Sequence, residues 1–240
     1  MSIARYLARL GYGTRRETEQ LLTQRRVTWA DGGVPRDRDA FTHEALRVDG
    51  APLDPPPGSV VLLHKPHGHV CSTSDRPPLV YDLFPARWLQ RTPVMATVGR
   101  LDADTTGLLL LTDDGELNHR LTSPRSHVNK TYEVTVAEPL GGHEAERFAS
   151  GALLLHGETA PLLPAQLIVT GERTATVRVQ EGRYHQVRRM FAAVGHHVVA
   201  LHRVALGALT LGGLAAGAWR VLEPAEVETL RASAVKGREA

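Results

Sequence analysis

The apolar positions of this 240-residue chain change their period several times, and the changes mark its elements. Ile3, Leu7 and Leu10 recur at i, i+4 and i+7, on one face of a helix that Gly11 and Gly13 would end. Thr14-Arg15-Arg16-Glu17 has the capping-box pattern, in which hydroxyl and carboxylate satisfy opposite orphan N–H groups. A second helix is predicted there, with Leu21 and Leu22 facing inward. Residues 27–29 and 46–48 are short strand-like runs followed by turn signals at Asp31-Gly32-Gly33 and Asp49-Gly50. Pro52 and Pro55-Pro56-Pro57-Gly58 read as a stiff, extended linker, which sets a domain boundary at residue 58.

From residue 60 onward apolar strands alternate with turns. Strands are predicted at 60–63, 95–98, 108–112, 131–136, 167–170, 174–180 and 198–201, and helices at 115–122, 142–150, 185–194 and 224–232. Hairpin-like pairing outweighs regular βαβ winding, so the expected class is α+β on a mixed, mainly antiparallel sheet. The expected organisation is a small N-terminal domain with its linker at 1–58, a larger domain at 59–232 and a frayed tail at 233–240.

Composition narrows the function classes. No run approaches the roughly 20 apolar residues that span a bilayer, and the first ten residues are amphipathic rather than a charged stub before an apolar block. A soluble, cytoplasmic protein is expected. The single cysteine, Cys71, allows neither an intramolecular disulfide nor a thiolate cluster. A net charge of +2 does not announce a nucleic-acid binder, but its distribution is uneven. Residues 1–30 hold Arg5, Arg9, Arg15, Arg16, Arg25 and Arg26 against Glu17 and Glu19, a local excess of +4. The sequence has no G-x-G-x-x-G after a strand, no Walker loop, no G-x-S-x-G and no H-E-x-x-H. Nucleotide cofactors, serine hydrolysis and zinc peptidase chemistry therefore lose support.

Four segments carry candidate chemistry. In Gly99-Arg100-Leu101-Asp102-Ala103-Asp104-Thr105-Thr106-Gly107 a strand delivers a polar loop that four leucines, 108–111, anchor from behind. On residue types alone this is an Asx-type turn between strands. Lys130-Thr131-Tyr132-Glu133-Val134 alternates like a strand, in which Tyr132 is either a packing residue or a platform for a base. Glu181-Gly182-Arg183-Tyr184-His185-Gln186-Val187-Arg188-Arg189 leads a turn into a helix opening with several donors, or else is a solvated basic face. His64, His67 and His69 sit in a Pro/Gly loop with no thiol or carboxylate close in sequence, so a metal is not expected.

Together HKPHGHVCST, GRLDADTTGLLLLTDDGELNHRLTSP, KTYEV and EGRYHQVRRMFAAVGHHVVALHR resemble the bacterial rRNA pseudouridine synthases of the ribosomal small-subunit pseudouridine synthase A family, in the family's order and over nearly the whole chain. Residues 2–54 resemble the small RNA-binding domain named after ribosomal protein S4, although Ser2-Ile3-Ala4-Arg5-Tyr6-Leu7 departs from that domain's usual opening. The resemblance implies that Asp102 is the catalytic aspartate, that Arg188 pairs with it, keeping it ionised and oriented, and that Tyr132 stacks on the uracil and helps remove the C5 proton. Three routes are open to Asp102: addition to C1′, addition to C6, or removal of the 2′ proton. It further implies that the target base is extruded into a pocket while Arg100 fills the vacated stack, and that Gly107 lets RNA backbone approach. Lys65, Lys130, Arg183, His185 and Gln186 are expected to contact RNA, with Arg5, Arg15, Arg16, Arg25 and Arg26 supplying phosphate contacts from the N-terminal domain.

The implied activity is isomerisation of uridine to pseudouridine in ribosomal RNA by a monomer, with no cofactor and no metal. The Lys130-Thr131-Tyr132 and Tyr184-His185-Gln186 segments, together with the N-terminal domain, resemble the small-subunit members of the family, which implies 16S rRNA uridine 516 as the target. Three other readings stay open: a catalytically inactive rRNA-binding assembly factor, a large-subunit (23S) rRNA synthase, and a hydrolase using Asp102 and Asp104.

Overall fold

A computed structural model describes residues 1–76 and 78–235; Pro77 and residues 236–240 lie outside it. The chain opens with α1 (Ile3–Arg9) and α2 (Arg15–Thr23). The capping box of Thr14 and Glu17 is present in full, as the sequence predicts. Strands β1 (Val27–Trp29), β2 (Leu46–Val48) and β3 (Ala51–Pro52) then form a small antiparallel sheet. Its core is Ile3, Leu7, Leu21, Val27, Leu46 and Val48, all buried.

The larger part runs through β4 (Val60–Lys65), β5 (Ala96–Thr97), β6 (Thr105–Thr112), α3 (Gly115–Thr122), β7 (Lys130–Val136), α4 (Glu144–Ala149), β8 (Gln166–Gly171), β9 (Thr174–Val179), α5 (Gln186–Ala193), β10 (Val198–Leu206), β11 (Leu209–Thr210), β12 (Trp219–Val221) and α6 (Pro224–Val235). Among the described residues these strands make one nine-stranded sheet in the order β12-β4-β6-β10-β7-β9-β8, with β5 on β6 and β11 on β10. Every pairing is antiparallel except β6 with β10, so the mixed, mainly antiparallel α+β class holds. At β4 and β6 the sheet is buried on both faces. Val61, Leu63, Leu109 and Leu111 join one core, while Val60, Leu62, Leu108 and Leu110 join another beneath α3 and α6. This two-sided burial is why β4 and β6 read as unbroken apolar runs rather than alternating ones.

Several expected bounds shift. β10 runs five residues past its expected end at 201, because Arg203 and the residues after it keep pairing with β7. β11 and β12 were not predicted; both are too short to show a period. Helix α6 continues through Val235, so the frayed tail expected from 233 does not begin there, and its remainder lies outside the described residues. The proline segment is not a free spacer. Asp54 forms a two-pronged ion pair with Arg87, the buried Arg91 guanidinium donates to the Pro55 carbonyl and pairs with Asp113, and Gly58 N–H donates to Asp113. No helix among the described residues is long and apolar enough to cross a membrane.

Gly107 marks the seam of the sheet. Its φ is +108°, and a Cβ there would stand 2.2 Å from the Arg203 carbonyl oxygen. The backbone that requires this glycine is β10, not RNA, which corrects the expected RNA contact. Beyond Gly107 the parallel pairing of β6 with β10 ends and β6 pairs with β5 instead. Gly107→Ala should lose about 3 kcal/mol or more of stability through combined strain and overlap, read as a lowered midpoint in denaturant. An unchanged midpoint would contradict this close approach.

Candidate active site

The loop between β5 and β6 leaves the sheet at Gly99, whose φ is +68°. It is braced from below. Leu101 N–H donates to Cys71 Sγ (3.5 Å), Gly68 N–H to the Ala103 carbonyl (2.7 Å), and Lys65 Nζ to the carbonyls of Thr105 (2.8 Å), Ala103 (3.1 Å) and Pro66 (3.2 Å). Lys65 is fully buried with three carbonyls receiving its ammonium, so it supports the loop and cannot meet RNA as expected. Cys71 is likewise a core residue whose thiol burial pushes up.

The loop is not the Asx-type turn that residue types alone suggest. A turn exists, but the Asp102 main-chain oxygen closes it by accepting from Thr105 N–H at 3.0 Å. The carboxylate is therefore left free of the turn. Its Oδ1 lies 3.2 Å from His185 Nε2 and its Oδ2 lies 4.0 Å from Arg188 Nε. Arg188 makes its short ion pair elsewhere: Nη2 stands 2.9 Å from Asp104 Oδ2, and Nη1 donates to the Val198 carbonyl at 3.0 Å. The expected pairing of Arg188 with Asp102 is thus the longer of two, and Arg188 Nε is buried with no hydrogen-bond partner among the described residues. Two carboxylates two residues apart converge on one guanidinium because the loop reverses between them, which spacing alone did not require.

The facing wall is the turn into α5. His185 adopts a left-handed conformation (φ 46°) that turns its ring toward Asp102. Gln186 accepts from Arg183 N–H at 2.9 Å and donates to Glu181 at 3.2 Å. Arg183 is occupied by Glu181, Glu158 and the carbonyls of Ala160 and Pro161. Gln186 and Arg183 are thus fasteners of the turn, not the free RNA contacts expected of them. Tyr184, by contrast, is 75% exposed and stacks on His185 with ring centres 3.8 Å apart.

Between these walls lies a cavity of about 170 Å³ lined by Arg100, Asp102, Lys130, Tyr132, His185 and Arg203, among others. Tyr132 is 8% exposed and sits directly across β7 and β10 from Arg203. Arg203 is 2% exposed; its Nε donates to the Leu108 carbonyl at 2.7 Å, and its buried Nη2 has no partner among the described residues. Lys130 donates to the Val128 carbonyl, and burial, reinforced by the Arg203 charge, lowers its pKa to about 8. Arg100 is exposed at the rim. Sequence reasoning missed Asp104 as the partner of Arg188, and it missed Arg203, an arginine inside an apolar strand.

The N-terminal arginines stand apart from this cavity. Arg5, Arg15, Arg16, Arg25 and Arg26 are all exposed, with Arg15 paired to Glu19 and Arg26 gripping Asp49 through two nitrogens. In the histidine loop His64 bonds the Leu214 carbonyl and His69 the His67 carbonyl. Among the described residues no three His, Cys, Asp or Glu side chains are grouped to hold a metal.

Comparison with known proteins places this geometry. Residues 59–193 match the family model described as RNA pseudouridylate synthase. The ribosomal small subunit pseudouridine synthase A of Pasteurella multocida is 39% identical over 234 residues, covering 95% of this chain and 99% of that protein. The protein of the same name from Escherichia coli K12 is 46% identical over 212 residues, covering 85% and 89%. A crystal structure of a pseudouridylate synthase superposes with a TM-score of 0.67 at 35% identity, covering 96% of this chain and 99% of that one. The chain belongs to the RNA pseudouridylate synthase family, and over nearly its whole length it is similar to the ribosomal small subunit pseudouridine synthase A proteins.

Proposed function

We propose that this protein isomerises uridine to pseudouridine in ribosomal RNA of the small subunit, at uridine 516 of 16S rRNA, with Asp102 as the reacting carboxylate. The observation that carries the reading is the Asp102 side chain, which is released from its own turn and held between His185 and Arg188 over the cavity floored by Tyr132. A carboxylate so placed can act on an extruded nucleoside without competing for loop hydrogen bonds. The target base leaves its stack, enters the cavity and lies on Tyr132, while the exposed guanidinium of Arg100 stands at the rim to replace it. Tyr184 stacked on His185 gives the rim an aromatic platform of the kind that single-stranded RNA bases use. Arg188, anchored by Asp104 and the Val198 carbonyl, fixes the direction of approach to Asp102. Mapping pseudouridine in rRNA from cells lacking this gene tests the reading. Loss at position 516 alone supports it, and loss in large-subunit rRNA instead would assign the other substrate.

Residues 1–58 act in this reading as an RNA-binding domain resembling that of ribosomal protein S4. Because the proline segment is tied to the larger domain through Asp54 and Arg91, point changes test this better than deletion. Replacing Arg5, Arg16 and Arg25 together with alanine should weaken RNA binding and reduce the slope of log affinity against log salt by about 2 to 3, at roughly 0.7–0.9 per lost phosphate contact. The single-turnover rate at saturating RNA should stay near wild type. An unchanged salt slope would show that the phosphate contacts lie elsewhere.

A further inference from the structure

We infer that Arg203, with Lys130 beside it, is a further catalytic residue that binds the carbonyl oxygens of the extruded uracil and stabilises the negative charge that builds on them. The inference rests on the proposed function. Its physical basis is a pair of desolvated cations that the protein's own acceptors do not fully satisfy among the described residues. Arg203 is all but fully buried, one of its guanidinium nitrogens has no hydrogen-bond partner among the described residues, and it lines the same cavity as Asp102 and Tyr132. A buried donor left without an acceptor is destabilising, and a charged one more so. Lys130 adds a second cation nearby, and the two charges repel. The carboxylate near them, Glu181, is taken up by Leu163 N–H, Gln186 and Arg183. Two desolvated cations facing one cavity are relieved when an electron-rich oxygen enters it.

The register places Arg203 beside the base. Arg203 and Tyr132 are direct partners across β10 and β7, so a base lying on the Tyr132 ring has Arg203 next to it. The reaction itself supplies the charge. When C1′–N1 breaks, the bonding electron pair stays with uracil, and the anion is delocalised over N1, O2 and O4. Addition of Asp102 to C6 instead pushes the ring electrons onto O4 before the same bond breaks, and removal of the 2′ proton expels the same uracil anion. All three routes pass negative charge through the carbonyl oxygens. The charge is discharged when C5 bonds to C1′, the C5 proton leaves and N1 gains a proton, so no other reactant is needed. Preorganised cations in a water-poor cavity act most strongly on charge that exists only part-way through a reaction.

The test compares wild type with Arg203→Gln, whose amide can still donate to the Leu108 carbonyl but carries no charge, and with Arg203→Lys and Lys130→Met. Single-turnover rates are measured at saturating RNA for a uridine target and for a 5-fluorouridine target, whose fluorine makes the base a better leaving group; consumption of the target nucleoside is followed in digests. We expect Arg203→Gln to lose about 100-fold on uridine with RNA affinity within a few fold of wild type, Arg203→Lys to recover part of that loss, and the penalty to shrink on 5-fluorouridine. If Arg203→Gln does not fold, Lys130→Met decides: it should lose about tenfold with the same relief on 5-fluorouridine. Loss of affinity at an unchanged rate, or an equal penalty on both targets, would overturn the inference while leaving the proposed function intact. An inactive wild type would remove both.

Discussion

Replacing Asp102 with asparagine is expected to give a folded, RNA-binding protein whose isomerisation rate falls by about 10⁴-fold or more, the scale of losing a reacting side chain. The fold has little reason to object. The turn at Asp102 is closed by its main-chain oxygen, and the side chain is 30% exposed, so the amide replaces nothing that holds the loop. Its oxygen can still stand beside His185 Nε2, which lies 3.2 Å from Asp102 Oδ1 in the wild type. What it lacks is the anionic oxygen that either bonds to the nucleoside or takes its proton. The thermal midpoint should stay close to wild type, since surface changes of this kind stay within about 0.5 kcal/mol, and RNA affinity should change little. Turnover within tenfold of wild type would remove Asp102 from its role.

Arg188→Met is expected to lower the saturated rate by on the order of a thousandfold, with Arg188→Lys between it and wild type. Methionine leaves Asp102 and Asp104 facing each other with no cation between them, and leaves the Val198 carbonyl without its donor. The first effect misdirects the reacting carboxylate, and misplacement by about 1 Å can itself cost about 100-fold. The second costs about 1–3 kcal/mol of stability, so a lowered midpoint should accompany the slow rate. Lysine restores a point charge but not the fork that reaches two carboxylates and a carbonyl at once. Asp104→Asn should fall in the same direction by a smaller factor, about tenfold, because it loosens the anchor without removing the cation. If the Arg188 variants lose RNA affinity alone, Arg188 is a phosphate contact and the positioning role is wrong.

Much of the fold was legible because its signals are local. The capping box of Thr14 and Glu17, the period of Ile3 and Leu7, and the leucine run 108–111 each depend on a few neighbours, and each has its predicted structure. The site was legible as a set of segments, not as a geometry. GRLD and RYHQVRR announced that Asp102, His185 and Arg188 matter, but nothing local shows that Asp104 takes the closer grip on Arg188. For Lys65, Gly107, Arg183 and Gln186 the family resemblance implies RNA contact. Each instead serves the protein: Lys65 braces three carbonyls, Gly107 admits β10, and Arg183 with Gln186 fastens the turn before α5. Arg203 went unnoticed because its burial follows from β10 running alongside both β6 and β7, a pairing of distant segments that no window of sequence contains.

Formation of pseudouridine in 16S rRNA through Asp102 is the proposed activity. It is tested most directly by incubating the purified full chain, wild type or Asp102→Asn, with 16S rRNA carrying tritium at C5 of its uridines, since isomerisation releases the C5 hydrogen to water. Wild type should release tritium equivalent to one uridine per RNA, with the pseudouridine mapping to position 516, and Asp102→Asn should release none above background. Release by Asp102→Asn matching wild type, or none by a folded, RNA-binding wild type, would contradict the account.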